Sequence, residues 1–304
     1  MLAELIRYWA TFAPERVRKF GYLNRLIALE FRAKRCAEAW EPHIRHCRNA
    51  IIRAADLREK QGTCVVIGSG LLLEVPLSAL ASRFDQIYLV DIFHMPQVVA
   101  EARKYFNVKL LTGDVTGVFL AIKERKQPGP NHPAPAPRIP HLKDADFIVS
   151  CNCLTQLAGP FLTYFEKERG FSELDSDKVA FQIMEKHVHA IAHEAAGVGM
   201  IITDTERYVM AGDKIVSRKD LLKALKLPPT PTHIHNEEWS WMIAPAPEED
   251  PARDIEHVVD SKVYLRHVEA DDKKDGEGEA VDADNPPEVD NRPVYEGDDE
   301  PVQR

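Results

Sequence analysis

The chain has 304 residues, ordinary hydrophobic (44%) and charged (29%) fractions, and a formal net charge of −9. No apolar run approaches the ~20 residues of a membrane-spanning helix, and MLAELIRYWATFAPERVRK lacks the apolar core and small-residue end of a signal peptide. Five cysteines without a Cys-x-x-Cys pair argue against a disulfide framework or a structural zinc and fit a reducing, cytoplasmic setting.

The charge is unevenly placed. Residues 1–60 carry 13 Lys and Arg against 7 acids, and residues 269–304 carry 14 acids against 4 bases. The chain is a basic head, a balanced body and an acidic tail. Residues 15–58 read as helical, with Phe20, Leu23, Ile27 and Phe31, then Ile44, Cys47 and Ile51, spaced three or four apart around a break at Pro42. Arg18, Arg25 and Arg32 form a second stripe. It suits a solvated helix face first and an anionic partner second.

From residue 63 apolar runs alternate with helical patterns, as in a parallel α/β sheet. The expected strands are Cys64–Ile67, Gln86–Val90, Val108–Leu111, Asp146–Ser150 and Met200–Thr203. The expected helices are Leu73–Ser82, Pro96–Phe106, Gly117–Glu124 and Asp177–Ala196. KQPGPNHPAPAPRIPH (126–141) reads as a surface loop, since its prolines fit neither a helix nor a central strand. EEWSWMIAP (237–245) and SKVYLRHVEA (261–270) alternate, and suggest a terminal antiparallel pair joined by the residues between them. Beyond 269 the chain lacks the apolar groups to offset ordering entropy and is expected to be disordered.

The first strand runs into VVIGSG. Gly68, Ser69 and Gly70 form a turn between a strand and a helix, where positive φ and close approach of a ligand both favour glycine. Asp91 ends the second strand in VDIFH, 21 residues after Gly70. A carboxylate there can accept from both ribose hydroxyls. Ile92 and His94 follow it, and His94 would line the adenosine side. Asp114 and Val115 follow the third strand in GDVT, where an acid can accept from an exocyclic adenine amine. Ser150, Asn152 and Gln156 follow the fourth strand and Asp204 the fifth. All lie at the carboxyl edge, where open α/β sheets bind ligands.

The whole series, over residues 62–268, resembles the class I S-adenosylmethionine-dependent methyltransferase superfamily. VVIGSG, VDIFH, GDVT, DFIVSCNCLTQL and the late WSWMIAP…KVYLRH pair carry the resemblance. It implies a Rossmann-like, mostly parallel sheet with a terminal antiparallel strand pair. With it come a helical N-terminal cap (1–60), a cofactor-binding domain (61–268) and a disordered acidic C-terminal tail (269–304). S-adenosylmethionine is the implied cofactor, held by Gly68, Ser69, Gly70, Asp91, Ile92, His94, Asp114, Val115 and Asn152. Asn152, Gln156, Asp204 and Tyr208 are the substrate-side candidates for methyl transfer to an acceptor that the sequence does not name. The chain departs from the family at Val66, where an acid is frequent, and at Leu72, where a third glycine is common. Glu74 is placed either to face the cleft in place of that acid or to complement the helix start. SCNC stands where some amino-group methyltransferases carry Asn-Pro-Pro-Tyr.

Two rivals stand beside this reading. A non-catalytic sensor or scaffold on the same fold is one. A nicotinamide-dependent oxidoreductase is the other, disfavoured by Leu73 at the third position of Gly-x-Gly-x-x-Gly and by the terminal pair. Cys151 and Cys153 read as small buried residues. His187, His189, His193, His233 and His235 lack a zinc-binding pattern, and no metal is expected.

Overall fold

The computed structural model describes residues 2–124, 129, 132–231, 234 and 236–265, apart from the side chain of Arg169. The acidic tail expected at 269–304 lies outside the described residues, as do His233 and His235.

Five strands that are nearly all apolar in sequence run parallel: β1 (Thr63–Ile67), β2 (Gln86–Asp91), β3 (Val108–Thr112), β4 (Phe147–Cys151) and β5 (Val198–Ala211). β6 (Lys214–Asp220) folds back on the far end of β5. β8 (Asp254–Tyr264) lies antiparallel to β5, and β7 (Glu237–Ala244) lies antiparallel to β8. The order is β3-β2-β1-β4-β5-β8-β7, with β6 pairing β5 off this path. The parallel sheet and its terminal antiparallel pair are therefore as expected. Three details differ. β6 is an addition whose seven residues are all exposed. β5 runs on to Ala211. DIEHVVD, read as connecting chain, is the first half of β8, because every second residue from Ile255 onward is buried.

Alternation divides the core. Cys64, Val66, Leu89, Val149 and Ile202 face α2 (Glu15–Lys19), α3 (Tyr22–Arg35), α4 (Ala37–Ala55), α5 (Leu77–Ala81) and α6 (Pro96–Ala102). Val65, Ile67, Ile148 and Ile201 face α9 (Glu173–His189) and the wide turn Ala190–Glu194 that extends it. α7 (Val118–Lys123) and α8 (Gly159–Arg169) pack with α9 around Phe161 and Phe165. α8 is absent from the sequence expectation. α9 starts on a capping box between Ser172 and Asp175, earlier than periodicity indicates.

The basic head forms α1 (Leu2–Ala10) and α2–α4. Its chain breaks fall at Gly21, with φ 76°, and at Cys36, not at Pro42. Pro42 sits in the second turn of α4, where it removes one backbone hydrogen bond. The helix continues because Trp40 and His43, on either side of it, are seated on β7. Trp40 Nε1 donates to the Ile243 carbonyl (2.9 Å) and Trp239 Nε1 donates to His43 Nδ1 (3.1 Å). The His43 ring stacks on Trp241 at 4.0 Å. Tertiary contacts outweigh the local proline penalty here. The described helices and the sheet share one compact unit.

The arginine stripe does not act as a single patch. Arg18 donates to the Thr11 and Ala13 carbonyls. Arg32 pairs with Glu248 and Glu249. The described part of the proline-rich loop is not wholly a surface feature, since Ala134 and Ile139 are buried and a Cβ on Gly117 would lie 2.6 Å from the Ala136 carbonyl oxygen.

Two outcomes follow from this packing. Trp40 is 1% exposed, so Trp40→Ala should cost about 3–5 kcal/mol in urea unfolding. His187 on α9 is buried, with Nε2 2.9 Å from Ser150 Oγ, and burial pushes its ring pKa down to about 4. Between that value and the ~6.5 of the unfolded chain, only the unfolded state binds the proton. Stability therefore falls as pH drops through this window, by about 2 kcal/mol from pH 7 to pH 5. Urea titrations at both pH values should show this loss, and His187→Gln should remove that part of the slope.

Candidate active site

The register brings the strand ends into line: Ile67 lies beside Val90 and Ser150, Asp91 beside Thr112, and Cys151 beside Ile202. Strand order reverses between β1 and β4, and a cavity of about 510 Å³ opens there. That volume suits a small-molecule ligand.

The floor is the glycine turn. Gly68 has φ 72° and Gly70 φ 51°. A Cβ on Gly68 would come 2.6 Å from Cys153 Cβ, so the segment just after β4 enforces that glycine. A Cβ on Gly70 would meet nothing closer than 3.9 Å. Leu72 also has a positive φ of 62° while its side chain is buried. The turn thus keeps a left-handed residue where the family frequently has glycine. α5 starts at Leu77, so Glu74 lies in the loop and lines the cavity, with its Oε1 3.7 Å from His43 Nε2. Val66 is fully buried in β1 and supplies no polar group.

Asp91 holds the turn. One carboxylate oxygen accepts from Gly70 N (2.8 Å), the other from Ile92 N (2.7 Å). Asp114 accepts from Thr116 N (2.8 Å), Thr116 Oγ1 (2.5 Å) and Phe119 N (2.8 Å). Burial raises both carboxyl pKa values, and the backbone donors oppose the rise. The Tyr22 hydroxyl is pushed well above its usual range by burial and, less strongly, by the charge on Asp114 and Asp91.

Most of the expected residues meet here. Gly68, Gly70, Asp91, Ile92, Asp114, Val115, Asn152, Gln156 and Asp204 all line the cavity. Asn152 is buried in a left-handed conformation, and its Oδ1 has no protein partner. Such an orphaned oxygen, on a residue that lines a cavity, fits a polar ligand. Ser69, His94 and Tyr208 stand outside the wall. Ser69 is buried within the turn. His94 is buried behind Asp91, with Nε2 3.2 Å from the Leu111 carbonyl, and burial lowers its pKa. Tyr208 lies on the β5–β6 ribbon, where its hydroxyl donates to Glu206, which also pairs with Arg218.

Half of the wall was not read from the sequence. α3 and α4 bring Tyr22, Arg25, Leu26, Leu29, Arg32 and Trp40, while Trp241, Ile243 and His257 come from β7 and β8. The alternating burial of β8 is the signal that could have placed His257. His189 and His193 stand 5.0 Å apart between ring centres. Among the described residues no group of three His, Cys, Asp or Glu side chains is placed to hold a metal ion, and no helix is long and apolar enough to cross a membrane.

The order of strands, the reversed β8 between β5 and β7, and a cavity at the switch point together decide the architecture. It is the Rossmann-like, mostly parallel sheet with a terminal antiparallel strand pair that the sequence resemblance implied. No protein-family model matches the chain, and no curated protein matches it. Solved structures do match. YcgJ from Bacillus subtilis is 16% identical, with a TM-score of 0.29 over 53% of this chain and 51% of that one. S-adenosylmethionine-bound CalS10, an amino pentose methyltransferase from Micromonospora echinaspora, is 14% identical, with a TM-score of 0.28 over 52% and 49%. The 1,6-didemethyltoxoflavin-N1-methyltransferase of Burkholderia thailandensis is 9% identical, with a TM-score of 0.32 over 83% and 92%. The chain spans about half the length of the first two.

The two glycines should respond differently to alanine. Both lose left-handed freedom, worth about 1–2 kcal/mol, and Gly68→Ala adds the clash with Cys153. Thermal unfolding should show Gly68→Ala as clearly the more destabilised, with Gly70→Ala costing only the backbone term.

Proposed function

We propose that the chain transfers a methyl group from S-adenosylmethionine to a small acceptor held in this cavity. The observation that carries the reading is the convergence of Gly68, Gly70, Asp91, Asp114 and Asn152 on one cavity at the carboxyl edge. Asp91 would accept from the ribose hydroxyls with the lone pairs left after Gly70 and Ile92. Asp114 would accept from the exocyclic amine. Asn152 Oδ1 and the Glu74 carboxylate would receive the ammonium of the methionine part, the task for which Val66 offers nothing. When bound, the cofactor supplies a sulfonium-activated methyl.

The protein then has three tasks: alignment, exclusion of water and management of the acceptor's proton. Residues 1–60 roof the cleft and help select the acceptor. Tyr22, Leu26, Leu29 and Trp40 provide an apolar lining on that side. Arg25 marks the rim, where its guanidinium lies over Gly159 at the start of α8.

Calorimetric titration with S-adenosylmethionine, S-adenosylhomocysteine and NAD tests the proposal. The first two should bind and NAD should not. Asp91→Ala removes two charge-assisted hydrogen bonds to the ribose, worth about 3 kcal/mol together, and should weaken binding about 100-fold. Binding of neither adenosyl compound would overturn the reading, and binding of NAD alone would favour the oxidoreductase.

A further inference from the structure

The aspartates of the cavity fall into two kinds. Asp91 accepts from backbone N–H groups, Asp114 from two backbone N–H groups and the hydroxyl of nearby Thr116, and both build turns. Asp204 instead accepts from two side chains: Thr155 Oγ1 donates to Oδ1 (2.5 Å), and His257 Nδ1 lies 2.9 Å from Oδ2. Asp204 and His257 are buried yet both line the cavity. The sheet sets their meeting. Asp204 is paired in register with Val259, and His257 lies two residues away on the same face of β8.

A carboxylate can only accept, so Nδ1 carries the hydrogen, and in the neutral ring Nε2 keeps its lone pair. Among the described residues Nε2 has no protein partner, in a side chain that lines the cavity. Trp241 stands edge-on to the imidazole at 6.0 Å, and Trp40 stands edge-on to Trp241 at 5.2 Å. With Ile243 and Leu29 they make an apolar, aromatic wall beside a base.

We propose that His257, positioned by Asp204 and Thr155, is the general base of the reaction and that the acceptor carries a phenolic hydroxyl. The proposal rests on the cofactor reading above. The acceptor's O–H bond breaks and its proton passes to His257 Nε2. An oxygen lone pair forms the O–CH3 bond as the S–CH3 bond breaks, and the electron pair of that bond goes to sulfur. The positive charge lost at sulfur is matched by the imidazolium, which Asp204 stabilises until the proton leaves to water. A phenol, with a pKa of about 10, gives up its proton far more readily than other hydroxyls. An aliphatic hydroxyl, near the ~15.7 of water, is out of practical reach. A neutral amine brings its own lone pair and has less need of a base. The aromatic wall fits a ring.

4-Nitrophenol serves as the probe, since its phenolate absorbs separately from its phenol. It is titrated into the protein saturated with S-adenosylhomocysteine, at a pH where the free probe is mainly protonated. The bound probe should show the phenolate band with the wild type, and His257→Asn and Asp204→Asn should lose it while binding S-adenosylhomocysteine as before. In 15N spectra of the wild type, His257 should carry its proton on Nδ1. Asp204→Asn should reverse the tautomer, because an amide nitrogen donates. A band of equal strength in His257→Asn, a probe bound without the band, or no probe binding would overturn the proposal while leaving the cofactor reading intact. So would an Nε2-protonated His257 in the wild type, a measurement that needs no variant to fold. Failure of S-adenosylhomocysteine to bind would overturn both.

Discussion

The structure depends on how α4 is fixed to β7. Trp40, His43, Trp239 and Trp241 interlock by one ring stack, one edge-on pair and two indole hydrogen bonds. Indole nitrogens only donate, so His43 must present an unprotonated Nδ1 to Trp239. The neutral ring then carries its hydrogen on Nε2, the atom nearest Glu74. The same contact that docks the helical head thus also turns the Nε2 side of His43 toward an acid of the cavity. Without it α3 would have no fixed place above the strand ends, and the floor of the site would be open to water. Exclusion of water is what the proposed methyl transfer would ask of its protein.

The clamp also explains why the cavity is two-sided. One side is the inheritance of the parallel strands, whose carboxyl ends deliver Asp91, Asp114 and Asn152. The other is built by elements far apart in sequence: α3 and α4 before the sheet begins, β7 and β8 after it turns back. β8 runs antiparallel, so its first half arrives at the edge where the parallel strands finish. That reversal lets His257 meet Asp204. A purely parallel sheet would present the start of its last strand at the opposite edge.

These facts set what the sequence could reveal. The central strands were legible because burial on both faces makes them nearly continuous apolar runs. The floor was legible because its parts follow strand ends at fixed intervals. The first half of β8 was not, since DIEHVVD puts acids on its outward face and a histidine on its inward one, and resembles a polar connection. β6 is wholly exposed and carries no burial signal. The break expected at Pro42 failed because a local penalty was outweighed by packing 200 residues away. The helical head was expected as a cap, but the residues it brings to the cavity were not legible, as no local pattern says which helix face will lie over which strand. The residues that stand outside the wall, Ser69, His94 and Tyr208, sit close in sequence to residues that line it. Proximity along the chain did not make them face the cavity.

Leu72 shows the difference between a motif and the geometry it encodes. A third glycine is frequent at this place because it allows a left-handed backbone at no steric cost. The chain keeps the left-handed backbone and gives it to leucine. The conformation costs about 1–2 kcal/mol for an L-residue with a Cβ. Burying a leucine side chain returns about 1.5–3 kcal/mol. The two are close enough that the turn survives the loss of its usual residue. Val66 is the parallel case: β1 offers no acid at this place, yet Glu74 lines the same cavity from the loop. A missing fingerprint residue therefore does not mean a missing site. The backbone path can be conserved by burial, and a charge can be supplied from a neighbouring segment, with neither substitution visible to a pattern that reads one position at a time.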